Sequence, residues 1–294
     1  MVVPRLVSDL GCSVDETGSI YLDNVDVGGV TVAKDEDLFF IAGILNSSVT
    51  NFVFKRISKP FRGSYLSANK QFIAPLPIPP ASAEDHADVV RRARALQSAH
   101  TARRDTLTRI ARRLSATRTR SRPQTWLFPD LKAKADLMAS APGRLDAEQK
   151  RQWVDQRYSD DLETHYRVIT GRLQPGASLS ASFVDDELSF AVDGIPVINR
   201  IFVSKAEGEF VLAQWKVLAA TFTITEKTNG KKLANALRKL AVPDNKAVVK
   251  QIIELEGRLA DIEADVAREE AEMNELIARL YDLDDADVAL IESG

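Results

Sequence analysis

Ile252–Leu280 reads IIELEGRLADIEADVAREEAEMNELIARL, and within it Ile252, Leu259, Val266, Met273 and Leu280 stand seven residues apart. Leu255, Ile262 and Leu276 fill the intervening positions, with Glu269 the one exception. Apolar residues at alternating three- and four-residue spacing over four heptads predict a long helix that buries one stripe against another helix. Asp244 is the expected N-cap. The pattern ends near Tyr281, giving about 37 residues or roughly 55 Å.

A matching helix is expected upstream. Ser82 and Asp85 fit a capping-box spacing, with Asp in place of the preferred Glu or Gln. The helix should last until about Ser121, roughly 40 residues and 60 Å. Val89, Ala93, Leu96, His100, Leu107, Ile110 and Leu114 mark its seam, interrupted by Arg103. The two segments also differ in sign. From Glu84 to Arg122 eleven arginines meet four carboxylates, a balance of +7, whereas Asn245–Gly294 sets five Lys/Arg against fourteen Asp/Glu, a balance of −9. Similar length and opposite charge predict an antiparallel coiled-coil hairpin within one chain. A parallel homodimer through the C-terminal helix is the alternative, disfavoured because its flanking carboxylates would face one another.

The remaining sequence divides around this pair. Residues 1–80 read as a mixed α/β unit, 81–122 and 244–282 as the coil helices, 123–243 as an inserted α+β subdomain and 283–294 as a tail. The expected fold class is therefore α+β. In the first unit, strands are expected at Arg5–Val7, Ser19–Leu22 and Gly29–Val32. Asp35 should cap one helix over Asp37–Ile57, which Pro60 stops. Pro75, Pro77, Pro79 and Pro80 then form an extended strap, since prolines this closely spaced exclude helix. The insert should hold helices around Leu131–Met138 and Asp146–Arg172. Strands should follow at Leu179–Val184, Leu188–Val192 and Val197–Val203, and a short helix at Phe210–Phe222.

Composition excludes several classes of function. Of the 294 residues 45% are hydrophobic, enough for a buried core, while 28% charged with 7% aromatic tilts toward long solvated helices. One cysteine, Cys12, rules out an intrachain disulfide framework. No run of about 18 apolar residues is present, so no membrane span and a cytoplasmic location are expected.

Catalytic motifs are missing. The one Pro-Pro pair, Pro79-Pro80, follows Ile78 and precedes Ala81, which is not the methyltransferase pattern, and Gly28-Gly29 lies in a turn rather than a cofactor loop. Pro129-Asp130 with Glu148-Gln149-Lys150 spells a nuclease shorthand in order only, since its second half opens an amphipathic helix. His86 and His100 fall on the first coil helix and His165 on the insert's helical stripe, none with an evident nucleophile. The expectation is no catalytic centre, no cofactor and no metal site.

Between Lys55 and Phe72 the composition changes character. Lys55, Arg56, Lys59, Arg62 and Lys70 are interleaved with Phe54, Phe61, Tyr65 and Phe72, and joined by Asn69 and Gln71. Cations neutralise phosphates and give affinity without sequence information. Arg, Asn and Gln can read base edges through paired hydrogen bonds. The candidate DNA-binding set is Lys55, Arg56, Lys59, Arg62, Tyr65, Asn69, Lys70 and Gln71. A solvated basic loop beside a core strand is the plain alternative.

The order of motifs here resembles a known family. Phe39-Phe40-Ile41-Ala42-Gly43-Ile44-Leu45-Asn46-Ser47, then Ile57-Ser58-Lys59-Pro60-Phe61-Arg62-Gly63, Asn69-Lys70-Gln71-Phe72 and Pro75-Leu76-Pro77-Ile78-Pro79 look like the TaqI-like C-terminal specificity domain of adenine-specific DNA methyltransferases, including type IIG restriction-modification enzymes. In that pattern a helix leads to a basic turn, a strand and a proline strap. The strap leading into a long helix is also similar to type I restriction specificity subunits, and Leu276–Leu283 with Asp287–Glu292 is similar to how such enzymes end. The resemblance implies target recognition on double-stranded DNA, in restriction or phage defence, beside a methyltransferase or restriction subunit as partner. The family's catalytic portion has no counterpart here. A coiled-coil scaffold that binds only proteins is the competing reading.

Overall fold

The computed structural model describes residues 1–18, 26–32, 36–61, 65–116, 121–240 and 242–293. The chain is mixed α+β, dominated by helix with small antiparallel sheets. It separates into two compact units, one of Met1–Asp105 with Leu259–Gly294, the other of Thr106–Arg258.

In the first unit, β1 (Val2–Pro4) pairs antiparallel with β3 (Val27–Gly29), and β2 (Leu6–Val7) with β4 (Leu66–Ser67). The expected strands at Arg5–Val7 and Gly29–Val32 are thus displaced by one to three residues, and Ser19–Leu22 lies outside the described residues. The single helix expected over Asp37–Ile57 is two, α1 (Leu38–Asn46) and α2 (Ser48–Ile57), bent by 67°. Ser47 makes the break. Its hydroxyl donates to the Ile44 carbonyl at 2.7 Å and accepts from the Thr50 N–H at 3.2 Å, so one side chain closes one helix and caps the next. Short hydroxyl side chains compete in this way with the helical ladder. Asp37 caps α1 through the Phe39 N–H at 2.7 Å, while Asp35, the expected cap, lies outside the described residues.

After α3 (Lys70–Ile73) the prolines run as an irregular extended strap, as their fixed φ demands. Leu76 and Pro79 turn inward, and the Tyr281 hydroxyl donates to the Pro77 carbonyl at 2.6 Å. α4 (Ala83–Ala116) follows, Ser82 accepting from the Asp85 N–H at 3.1 Å. The core of this unit joins Phe39, Ile44, Leu45 and Phe54 to Val89 and Ala93 of α4 and to Met273, Leu276 and Ile277.

Those last residues belong to α10 (Lys246–Leu280), whose heptad positions Ile252, Leu259, Val266 and Met273 are all buried. Its start is capped by the Asn245 carboxamide, which accepts from the Ala247 N–H at 3.1 Å, rather than by Asp244. On α4 the expected seam holds at Val89, Ala93 and Ile110 but fails at Leu107, which is 39% exposed while Thr106 is buried. Exposed His100 and ion-paired Arg103 occupy the two preceding seam positions, so polar side chains stand where apolar ones would fix the register. The expected tail contains a further helix, α11 (Asp285–Glu292), closed at its start by an Asp284–Asp287 capping box.

The second unit opens with α5 (Gln124–Leu127) and α6 (Lys134–Ala139), where one helix at Leu131–Met138 was expected. α7 (Ala147–Thr170) starts at an Asp146–Gln149 capping box. A meander follows of β5 (Leu179–Val184), β6 (Glu187–Val192) and β7 (Ile195–Phe202). Its turns, Asp185-Asp186 and Asp193-Gly194, all have φ between 49° and 75°, the double positive φ that matches the twist of two-residue hairpins. α8 (Lys205–Thr221) begins earlier than expected, because Lys205-Ala206-Glu207 are good helix formers. α9 (Gly230–Leu237) was not expected at all. The core gathers Leu127, Ile169, Leu188, Phe190, Ile201, Val211, Trp215, Leu233 and Leu237.

Candidate nucleic-acid interface

The candidate residues begin in the last turn of α2, where Lys55 and Arg56 face the negative end of the helix dipole. Lys55 pairs with Asp9 at 2.8 Å, and its hydrogen bond holds the Asp9 carboxyl below the usual carboxylate range against a weaker opposing effect of burial. The Arg56 guanidinium lies 3.2 Å from the Phe52 ring centre and donates to the Phe52 carbonyl. Both cations are therefore anchored to their own unit.

Beyond α2 the chain doubles back. Ser58 donates through its hydroxyl to the Ser67 carbonyl at 2.8 Å, the Ser67 N–H donates to the Lys59 carbonyl, and the Phe61 N–H donates to the Tyr65 carbonyl at 2.6 Å. This ladder holds Phe61 and Tyr65 across from each other at the surface, 57% and 50% exposed. Arg62, with Gly63 and Ser64, lies outside the described residues. Asn69 has extended backbone, is exposed, and donates to the Ser67 hydroxyl at 2.7 Å. Lys70 and Gln71, exposed, open α3, so the segment that the family pattern would make a strand is a single helical turn. The reason is local: Asn69 sits in the extended conformation of an N-cap, and Pro75 ends the turn. Among the described residues Lys59 and Lys70 make no ion pair.

The seven described candidates thus fall on one continuous stretch, α2 end, doubled-back loop and α3, with α3 packed on α2. The side chains of Lys55, Arg56 and Asn69 are held by partners, Lys59 and Lys70 are available cations, and the aromatic pair stands between them in sequence. The surface can contact an anionic backbone and stack on a planar group.

A second feature was not legible in the sequence. The extended segment Leu10–Val14 pairs through Ser13 with Val2 on one edge, while carboxamides occupy the other. Asn51 accepts from the Leu10 N–H at 2.5 Å and donates to its carbonyl at 3.1 Å. Asn46 does the same for Cys12 at 2.7 and 3.0 Å, and Gln97 for Val14 at 2.7 and 3.0 Å. Three side-chain amides thereby replace the neighbouring strand that alternate residues of an extended chain require. Beside this segment opens a groove of about 740 Å³, whose polar wall includes Ser48, His100, Arg104 and Asn274. The Cys12 thiol is pushed up to about 12 by burial, so it is neither ionised nor nucleophilic near neutrality. His100 contacts Glu270 at 3.2 Å. Among the described residues no group of three or more His, Cys, Asp or Glu side chains is arranged to hold a metal ion.

Elsewhere the histidines serve packing. His86 stacks on Phe40 at 4.4 Å and His165 on Phe128 at 4.6 Å. Asp130 of the nuclease-like shorthand pairs with Arg200 at 2.9 Å. Among the described residues no single helix is long and apolar enough to cross a membrane.

Comparison with protein-family models, curated proteins and solved structures finds no match to this chain.

Proposed function

We propose that the chain is a non-catalytic module for recognition of double-stranded DNA, serving a methyltransferase or restriction partner. The observation that carries this reading is the exposed pair Phe61 and Tyr65 beside the unpaired cations Lys59 and Lys70. Large aromatics are normally withdrawn from water, and two held outward by backbone hydrogen bonds fit a surface that meets a partner. Lysines there neutralise phosphates, and Asn69 and Gln71 carry the donor–acceptor pairs that read adenine. The order of motifs from Phe39 to Pro79, similar to TaqI-like specificity domains, points to the same partner.

In this reading α4 and α10 form an antiparallel coiled-coil hairpin that spaces functional ends of the machine. Arg92 pairs with Glu269 and Glu272, His100 with Glu270, Arg103 with Glu263 and, in the second unit, Arg113 with Gln251. Rising numbers on one helix meet falling numbers on the other, which supports the antiparallel sense.

Binding of labelled duplex DNA across salt tests the reading. Affinity should fall linearly on a double-logarithmic plot, and Lys59→Gln/Lys70→Gln should make the slope shallower by about 2. A flat salt response, or no binding at about 50 mM salt with the partner present, refutes it. The scaffold reading gains from the same ion pairs, because the coil's arginines are largely matched within the chain. A stable protein partner whose assembly is indifferent to DNA would select it.

A further inference from the structure

We propose that the outer face of α9, in the second unit, is a phosphate-binding surface for duplex DNA that acts without regard to base sequence. Residues 225–240 carry Lys227, Lys231, Lys232, Arg238 and Lys239 against one acid, Glu226, in a chain whose net charge is −3. At 100° per residue, Lys231, Lys232 and Asn235 fall within about a 100° stripe of α9, and Lys239 follows in the turn after its end. The opposite face, Leu233, Ala234 and Leu237, is fully buried in the core. Lys227, Lys231 and Lys232 are exposed and make no ion pair among the described residues.

That placement has an electrostatic consequence. Elsewhere in this unit Lys134 pairs with Asp155 and Lys216 with Glu256. Lys231 and Lys232 at the start of α9, with Lys227 just before it, have no such partner among the described residues, and cations grouped in this way concentrate positive potential, which attracts polyanions and speeds their encounter. The stripe from Lys231 to Asn235 rises about 6 Å along α9, close to two base-pair steps along a strand. A shallow depression between Phe222 and the stripe leaves room for a backbone to lie along it.

Duplex DNA is the partner that these features favour. A membrane-surface helix needs a free apolar face to sink into the headgroups, and the apolar face of α9 is already used by the core. Base reading is not expected, because Asn235 is the one exposed amide within the stripe and lysines act as point charges. The inference rests on the proposed DNA-recognition role of the chain and extends it to a second surface.

The test compares the full chain with Lys231→Gln/Lys232→Gln and with Lys231→Arg/Lys232→Arg, by fluorescence anisotropy on two duplexes of unrelated sequence. Both sites are exposed, and equal thermal melting of the three proteins verifies that the fold is kept. The glutamine variant should lose affinity for both duplexes alike, with a salt slope shallower by about 2. Between about 50 and about 200 mM salt the wild type should therefore lose about tenfold more affinity than this variant. The arginine variant should keep the wild-type slope. A glutamine variant with wild-type affinity and slope overturns the α9 surface while leaving the Lys59–Lys70 reading intact. Wild-type protein that binds neither duplex at about 50 mM salt overturns both. Tighter binding to single-stranded RNA or to phosphatidylserine vesicles than to duplex, lost in the glutamine variant, assigns the face to another polyanion and also overturns it.

Discussion

Asn46, Asn51 and Gln97 each bond both the backbone N–H and the carbonyl of one residue. Removing one leaves a partly buried N–H and carbonyl without partners, and the loss of both bonds should cost about 1–3 kcal/mol. Asn51→Ala should lower stability by that amount in urea denaturation, and an effect below about 0.5 kcal/mol would show that water replaces the clamp. Cys12 lies on the same segment. Since burial raises its thiol to about 12, iodoacetamide near pH 8 should label it only on unfolding. Labelling of the native protein at the rate of a free thiol would contradict that. Asp88 supplies the pH dependence. Burial acts to raise its carboxyl, yet hydrogen bonds from Arg91 and Arg92 together outweigh this and hold it below its ordinary value. Its pairing is then fully stabilising above about pH 4 and is lost as the pH falls through the lower folded value. Because Asp88 is about a third exposed, the contribution is small. Asp88→Asn should accordingly flatten the acid limb of a melting-temperature profile without moving its neutral plateau by more than a few degrees.

At the level of elements, two glycines separate close approach from open space. A Cβ on Gly230 would stand 2.2 Å from the Tyr166 carbonyl oxygen, so α9 meets α7 backbone to backbone. Gly230→Ala should destabilise by about 3 kcal/mol despite the roughly 1 kcal/mol that helix propensity returns. Gly257, in the middle of α10, has nothing within 4 Å of such a Cβ. Gly257→Ala should therefore raise stability by about 0.5–1 kcal/mol. Differential scanning calorimetry of both variants checks the contrast, and equal effects would sink it. Where the sequence was readable, one physical signal dominated. Heptad spacing located α10 to within a few residues, and Asp-Gly chemistry located the meander. Prediction failed where a local hydrogen bond decided the outcome. Nothing in the apolar periodicity of Leu38–Val53 reveals that Ser47 would rather bond Ile44 and Thr50 than continue the helix. α9 escaped notice because eight residues hold too few turns for periodicity, and its buried stripe is defined by α7. The basic-aromatic stretch was visible as composition, and the i,i+4 spacing of Phe52 and Arg56 on α2 is local, yet the capture of Lys55 by Asp9 depends on a tertiary contact.

For the whole molecule, the unit boundaries carry the main lesson. The first unit is built from two separated stretches, and its core needs Met273, Leu276 and Ile277 as much as Phe39 and Ile44. Ending the chain at Arg258 should abolish the first unit's cooperative melting and leave that of the second. Loss of both transitions would show that the second depends on the first. The same arrangement imposes an order on synthesis. At about 5–20 residues per second, the roughly 150 residues between the two stretches take about 8–30 s to translate. During that interval Phe39, Phe40, Ile41, Ile44 and Leu45 have left the ribosome with part of their packing surface still untranslated. The second unit, being continuous in sequence, can fold in that time, whereas the nascent first unit presents an apolar surface that chaperones and wrong partners can reach.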